Sequence, residues 1–309
     1  MAKTEVRKKK VYKELQLEER QCYALLALPI IGFLVFTIYP MVWAASKSFF
    51  YYDLIPSSQR FTGLENFIMA FRDKSYWTAW ITTLEFSFIK IPIETVIALL
   101  LAVMLKKLGK PGGFFRTEYF LPTVIAGAVT AVIFANLFDY FGFINHWLDV
   151  LGVTKEPINW FASKKGALAV IIMASMWSCC GINVIYFTAA LNNVPEELYE
   201  AAEIDGAGRA RRFISITVPM IAPIFQTILL LAINGTLQTG EFIILMTNGA
   251  PGGATHTAAS YIISKFVPGF AESGVNIGYG CALSIINSFI FGTVALIYSK
   301  LTTKLQNIY

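Results

Sequence analysis

Three polar residues recur along one apolar stretch of the chain, and their side chains are the first candidates for contacting a solute. Asn234, Gln238 and Glu241 are separated by four and three residues, so a continuous helix would place them on one face. Amide and carboxylate groups form hydrogen bonds with hydroxyl-rich solutes such as sugars. The same groups can bond to neighbouring helices and simply hold them together. The spacing therefore predicts either a polar wall of a solute path or an interhelical contact.

Other apolar stretches carry further polar and aromatic side chains that could line such a path. Aromatic faces stack on sugar rings, although aromatic side chains in membrane helices more often serve packing. The remaining candidates are Trp177, Asn183 and Asn287.

Lys90 and Glu94 lie one turn apart in a further apolar stretch. Opposite charges at this spacing can pair, which lowers the cost of burying each of them in a membrane. The pair is typical of a structural contact. As an alternative, the two residues could form a proton relay together with Glu241.

Sequence patterns for covalent chemistry and for metal or nucleotide binding are absent from the 309 residues. The chain contains no GxxxxGK[ST], no HExxH, no GxSxG and no EF-hand loop. His146 and His256 are the only histidines, and both fall in predicted external loops, where isolated histidines are typically solvated. The four cysteines show no CxxC spacing and are predicted to be small buried hydrophobic residues. We therefore expect no catalytic residue, no metal site and no cofactor held by this chain.

The elements that must position these side chains are membrane-spanning helices. Hydrophobic residues make up 56% of the chain and charged residues 15%, whereas soluble domains are about 25% charged; mean hydropathy is +0.58. A helix needs about 20 apolar residues to cross a bilayer core. The chain is predicted to be an all-α integral membrane protein with six transmembrane helices, at about 23–46, 76–105, 119–138, 166–191, 213–240 and 273–299. The first apolar run exceeds the about 7–15 residues of a signal-peptide core, so it is predicted to stay uncleaved.

Lysine and arginine residues are distributed unevenly between the two sides of these spans. The side that carries both termini has 16 of them and the opposite side has 8, which predicts that both termini are cytoplasmic. The predicted organisation is a basic tail at 1–22, a membrane domain at 23–300 and a short tail at 301–309. The net charge of +5 then reflects orientation and contact with membrane lipid, and it gives no support for nucleic-acid binding.

Residues 192–216 form the most charged predicted loop after the basic tail. Asn192 or Asn193 is predicted to cap a short helix through its side-chain oxygen. Pro195 fits the first turn of this helix, because its missing N–H costs nothing there. Gly206 is predicted to end the helix, because a left-handed backbone is cheap only for glycine. A short helix with a charged rim suits a groove on a soluble partner, although it could also be a passive connector between two spans.

The same loop resembles the EAA motif of ABC importer permeases, EAAxxDGAxxxxxFxxIxxP. The matching residues are Glu200, Ala201, Ala202, Asp205, Gly206, Ala207, Phe213, Ile216 and Pro219. Segments 61–67 (FTGLENF), 120–122 (FLP), 247–255 (TNGAPGGAT) and 278–284 (GYGCALS) resemble the maltose-type carbohydrate-uptake branch. The resemblance extends from about residue 25 to 300. One departure is Ala250, which stands where this branch is expected to have glycine.

This resemblance implies a type I ABC importer permease fold in the bacterial inner membrane. It implies a path for a sugar, an oligosaccharide or a related solute, with loop 192–216 as the coupling helix. The implied partners are a second permease in a heterodimer, a cytoplasmic ATPase dimer that binds ATP and magnesium, and an external solute-binding protein. The alternative is a proton- or ion-coupled secondary transporter that relies on Lys90, Glu94 and Glu241. Such a carrier works alone and has no use for a docking loop.

Overall fold

The structure is a computed structural model that describes residues 21–108, 112–267, 269–270 and 274–306. Within this part the chain is almost entirely helical. The helices are α1 Gln21–Lys47, α2 Glu65–Arg72, α3 Lys74–Leu108, α4 Gly112–Val124, α5 Gly127–Leu137, α6 Phe143–Val150, α7 Lys164–Asn192, α8 Glu196–Ile204, α9 Arg209–Leu237, α10 Glu241–Thr247, α11 Ala258–Phe266 and α12 Ile277–Gln306. A two-stranded antiparallel hairpin, β1 Phe50–Tyr51 and β2 Arg60–Phe61, links α1 to α2. Most of the predicted basic tail lies outside the described residues, and α12 continues past the predicted domain end at residue 300.

Five helices are long and apolar enough to cross a membrane, namely α1, α3, α7, α9 and α12. The sixth predicted span, 119–138, is not one straight helix. Its residues are divided between α4 and α5, which meet at an angle of 94°. The break falls where Ala126 adopts an extended backbone, just after a helical turn that contains Pro122. Counting the bent pair as one span, the six-span prediction is confirmed.

The fifth span ends earlier than the sequence predicts. α9 stops at Leu237, and Glu241 starts the separate helix α10. The first turn of α11 lies so close to Gly240 that a Cβ atom there would stand 2.9 Å from the backbone of Ala259. The hydroxyl of Thr257 also donates to the carbonyl of Thr239 at 2.8 Å. These contacts hold the chain in a break between two helices, which we call the 238–240 break.

Helix α3 runs through three apolar clusters and is the central element of the fold. Its first part packs with α11 and α12, and its middle packs with α5, α7 and α10. Its last part packs with α7 and α9 in a cluster that we call the three-helix core. This core comprises Ala98, Ala102, Leu105, Val184, Phe187, Ala190, Leu191, Val194, Ile221 and Ile228.

The prediction of solvated histidines is wrong for His256. Its side chain is buried, and its Nδ1 atom lies 3.1 Å from the hydroxyl of Ser260. The loop between α10 and α11 folds back so tightly that a Cβ on Gly249, whose φ is +79°, would collide with the imidazole ring. His146 is exposed, as predicted, on helix α6. Cys22 is also exposed, contrary to the prediction, because α1 makes few contacts with the rest of the described chain.

Asp73 ties the junction of α2 and α3 to α11 and α12. Its Oδ2 atom accepts hydrogen bonds from the hydroxyls of Tyr261 at 2.6 Å and Tyr279 at 2.5 Å. Its Oδ1 atom accepts from the backbone N–H groups of Ser75 and Tyr76. Burial raises the pKa of Asp73, but these four hydrogen bonds to the charged form outweigh it, so the pKa lies below its usual value.

We expect Asp73→Asn to destabilise the fold near neutral pH and to weaken its response to acid. The replacement removes an acceptor for two hydroxyls, which costs about 1–2 kcal/mol after solvent screening. Because the folded pKa lies below the unfolded value of about 3.9, this contribution is present above that value and is lost as pH falls through the folded pKa. Thermal unfolding in detergent between pH 7 and pH 3 measures both effects, with the exposed Asp149→Asn as control. An unchanged melting temperature for Asp73→Asn at pH 7 would contradict the assignment.

Candidate functional site

The short helix predicted in loop 192–216 is present as α8, but it begins later than expected. Asn192 and Asn193 end helix α7 instead of capping α8, whose first turn is preceded by Pro195. Helix α7 is prolonged because its last turns pack into the three-helix core. The ammonium group of Lys106 also donates to the carbonyl of Leu191 at 2.8 Å, which satisfies an acceptor at the helix end.

The end of α8 has the backbone geometry that the sequence predicts. Gly206 has a φ of +75°. Its N–H donates to the carbonyl of Glu203 at 3.0 Å, and the N–H of Ala207 donates to the carbonyl of Ala202 at 2.8 Å. This pair of bonds is the Schellman motif, in which the left-handed position is cheap only for glycine. The chain is thereby turned sharply towards α9.

The outer surface of α8 is exposed and mixes apolar with acidic side chains. Ile204 is 87% exposed at the end of the helix, and Leu198 is 40% exposed one and a half turns earlier. Of the EAA residues, Glu200, Ala201, Asp205 and Gly206 are exposed, and Ala202 and Ala207 are half-buried. An exposed apolar tip with a charged rim is the pattern of a surface that binds another protein.

The opposite side of α8 is fastened to the membrane helices. The hydroxyls of Tyr199 and Thr217 lie 2.8 Å apart, and Tyr199 packs against the three-helix core. Arg212 pairs with Glu203 at 2.8 Å. Between α8, α3 and α9 lies a cavity of about 480 Å³. The charged residues that line it are Lys106, Lys107, Glu196, Glu200, Glu203, Arg209 and Arg212. Helix α8 is thus joined to α9 by a hydrogen bond and an ion pair, and it contacts the three-helix core through Tyr199.

The predicted solute-path residues fall into two groups. Asn234, Gln238, Glu241 and Trp177 are exposed in this chain, and the amide of Gln238 donates to Asn234 Oδ1 at 2.8 Å. Because of the 238–240 break, the prediction that Glu241 shares a helix with Asn234 is wrong. Asn183 and Asn287 are buried, at 4% and 8% exposure.

A buried polar cluster explains the position of Asn183. Its amide donates to Glu94 Oε1 at 2.7 Å, and Lys90 Nζ lies 3.1 Å from Glu94 Oε2. Lys90 also donates to the hydroxyl of Thr236 at 3.2 Å. The predicted pairing of Lys90 with Glu94 is confirmed. No sequence signal indicated the contacts to α7 and α9, since a threonine in an apolar helix usually bonds to its own backbone.

Comparison with known proteins decides the family. Residues 20–303 match the family described as "Binding-protein-dependent transport system inner membrane component". The chain belongs to this family. It is a transmembrane permease of an ABC importer, and it is a multi-pass membrane protein.

Permeases of this family from several organisms are similar to the chain over most of its length. AraP, the arabinooligosaccharides transport system permease protein of Bacillus subtilis (strain 168), is 32% identical over 277 residues, which is 88% of this chain and 85% of AraP. MalF, the trehalose/maltose transport system permease protein of Thermococcus litoralis, is 28% identical over 289 residues, which is 93% of this chain and 95% of MalF.

Solved permeases share the architecture. A chain of a bacterial ABC transporter that imports the acidic polysaccharide alginate matches with a TM-score of 0.81 and 22% identity, over 96% of this chain and 99% of that chain. A bacterial alginate ABC transporter in complex with its alginate-bound periplasmic protein gives a TM-score of 0.79 and 22% identity, over 92% and 94% of the two chains. At this identity the likeness establishes the fold, and the predicted type I importer permease fold is confirmed.

Proposed function

We propose that this permease forms part of the path for a sugar, an oligosaccharide or a related solute, and that a separate ATPase drives it through α8. The observation that carries the proposal is the exposed α8 surface, which ends in the Gly206 turn and is fastened to the membrane helices behind it. The names of the relatives, which refer to arabinooligosaccharides and to trehalose or maltose, support this class of solute.

The proposed partners are an ATPase dimer, a second permease and an external solute-binding protein. A cytoplasmic ATPase dimer would receive the exposed tip of α8, and it would hold the ATP and magnesium for which this chain has no GxxxxGK[ST] pattern. A second, similar permease would complete the path as a heterodimer. An external solute-binding protein would deliver the solute, consistent with the family description.

Exposed polar side chains in the fifth span support a path that is shared with the second permease. Asn234 and Gln238 are exposed near the end of α9, an otherwise apolar helix. Amide groups that faced lipid would lose their hydrogen bonds to water at a cost of several kcal/mol. A water-filled path or a facing permease satisfies them. Glu241, exposed just beyond the 238–240 break, continues this polar surface.

We expect Gln238→Ala combined with Glu241→Ala to reduce solute uptake at least tenfold without loss of assembly. The two side chains supply an amide and a carboxylate to passing hydroxyl groups, and loss of such pairing costs about 1–3 kcal/mol. Uptake of labelled solute into cells measures the effect, and co-purification of the ATPase measures assembly. The matched control is Thr293→Ala, since Thr293 is exposed on α12 and bonds to its own helix backbone. Normal uptake in the double variant would mean that the stripe only joins helices.

We also propose that both termini are cytoplasmic, supported by the 16-to-8 distribution of lysine and arginine. In a background without the native cysteines, a membrane-impermeant maleimide should label Ser57→Cys from outside intact cells. It should label Gly208→Cys only after the cells are opened. Both positions are exposed, so accessibility within the chain does not distinguish them. Labelling of Gly208→Cys from outside would reverse the orientation and remove α8 from the reach of a cytoplasmic ATPase.

A further inference from the structure

The buried polar cluster, which consists of Lys90, Glu94, Asn183 and Thr236, joins three membrane helices at one point. Lys90 and Glu94 lie in the middle of α3. Asn183 on α7 bonds to the carboxylate at 2.7 Å, and Thr236 on α9 accepts from the ammonium group at 3.2 Å. All four side chains are at least 95% buried. Within the cluster, α7 is therefore joined to α9 through the ion pair of α3.

Packing alone does not account for a charged pair at this place. Two charges lose their hydration when they are buried, and their mutual attraction often only offsets that cost. Apolar residues of similar size are commonly as stable. An ion pair does supply directed bonds, however, because each charge holds a hydrogen-bond partner on a different helix. What the cluster adds over apolar packing is a fixed geometry between α3, α7 and α9.

Towards α8, the cluster adjoins α7 and α9, the two helices that precede and follow α8 in the chain. Helix α7 leads into α8 after three residues, and α9 follows α8 after four. Asn183 lies nine residues before the end of α7, which corresponds to about 14 Å along the helix. The three-helix core fills this interval, and Tyr199 of α8 packs against it. The contact of Tyr199 with this core gives a displacement of α8 a route to the cluster, because close-packed side chains transmit strain with little compression.

On the other side, the cluster adjoins the 238–240 break. Helix α9 ends with Thr236 and Leu237, and Gln238 is the next residue in the chain. Beyond the break, α10 packs with α5 and α7 in a different apolar cluster. The hydrogen bond from Lys90 thus fixes the end of α9 at the point where the chain changes direction, next to the exposed side chains of Gln238 and Glu241.

We propose that the buried polar cluster is the joint through which movement of α8 reaches the 238–240 break. Lys90 and Glu94 are positioning residues in this joint: neither touches the solute, and together they hold Thr236 so that the end of α9 moves with the three-helix core. The proposal rests on the proposed function, because it takes α8 as the element that the ATPase moves.

The test measures whether the break responds to ATP when the charges are removed. The variant Gln238→Cys is labelled with a small maleimide in membranes that contain the assembled transporter, with and without ATP plus vanadate. The native cysteines are replaced in this background, and the buried polar cluster is unchanged. The labelling rate should then differ at least fivefold between membranes with and without ATP plus vanadate. The test variant combines Lys90→Met with Glu94→Gln, which keeps the acceptor for Asn183 and loses the bond to Thr236. In this variant the difference in labelling rate should fall below twofold, while the ATPase still co-purifies.

The matched control is a more exposed ion pair that also joins α3 to α7. Lys164 and Glu85 are paired at 2.6 Å with partly exposed side chains, so Lys164→Met with Glu85→Gln should keep the full response to ATP. If the double variant at the cluster fails to assemble, Thr236→Val serves instead, because it preserves the ion pair and removes one hydroxyl; its response should also fall below twofold.

A full ATP response in either cluster variant would overturn the proposal while leaving the proposed function intact. The absence of any ATP response in the native protein, together with a missing ATPase, would overturn the proposed function itself. The two failures are therefore distinguishable in one experiment.

Discussion

Gly206→Val is expected to lower ATPase docking and solute uptake about tenfold. Gly206 has a φ of +75°, and no described atom lies within 4 Å of the position that a Cβ would take, so the loss comes from the backbone and not from a collision. A side chain in the left-handed region costs about 1–2 kcal/mol, and a β-branched residue is especially unsuited to it. The end of α8 should unwind and displace Ile204 and Asp205 from the docking surface.

The control for this variant is Gly208→Val in the same loop. A Cβ at Gly208 would also meet no described atom within 4 Å, but the backbone there is extended, with φ −68° and ψ 167°, which any residue adopts. Co-purification of the ATPase and solute uptake should stay near wild type. Glu200→Ala should have a milder effect than Gly206→Val, because an ion pair between the exposed Glu200 carboxylate and the ATPase would contribute little. Equal docking by Gly206→Val and Gly208→Val would mean that the loop is a passive connector.

Lys90→Met alone is expected to destabilise the permease strongly. It leaves the carboxylate of Glu94, which is 1% exposed, without its counter-charge inside a membrane helix. Removing one partner of a buried pair costs about 3–5 kcal/mol, and a lone charge in a span is itself costly. The amount of folded protein in the membrane and its melting temperature in detergent should both fall.

The corresponding change in the more exposed pair, Lys164→Met, should cost no more than about 1 kcal/mol. Adding Glu94→Gln to Lys90→Met should restore most of the lost stability, because the unpaired charge is then gone. If Lys90→Met and Lys164→Met proved equally stable, Lys90 and Glu94 would not be a desolvated ion pair.

The features that were well predicted from sequence are those that depend on local composition. Apolar runs predicted the six spans, and a glycine after a short acidic helix predicted the left-handed Gly206. Both follow from properties of neighbouring residues, namely the hydrophobicity of about 20 residues and the backbone freedom of one.

The features that were missed depend on contacts between distant segments. Helix α9 ends before Gly240 because the first turn of α11 lies against that glycine, and His256 is buried because its loop folds over Gly249. Asn183 could be placed on a helix face, but its partner Glu94 is 89 residues away in the chain. No local pattern specifies such a pairing.

The relay of a secondary transporter is poorly supported by the same geometry. Lys90 and Glu94 are buried and bonded within the chain, whereas Glu241 is exposed beyond the 238–240 break. Helix α8, in contrast, presents an exposed apolar tip that such a carrier would not need.

The energy source of uptake distinguishes a permease driven by a separate ATPase from an ion-coupled carrier. Membrane vesicles with the cytoplasmic face inside are loaded with ATP and supplied with the solute-binding protein. They are then given the labelled sugar or oligosaccharide that this binding protein holds. We predict uptake that requires internal ATP, stops with vanadate, continues with a protonophore and disappears in vesicles that carry Gly206→Val. Uptake that the protonophore abolishes and that proceeds without ATP would contradict ATPase-driven import.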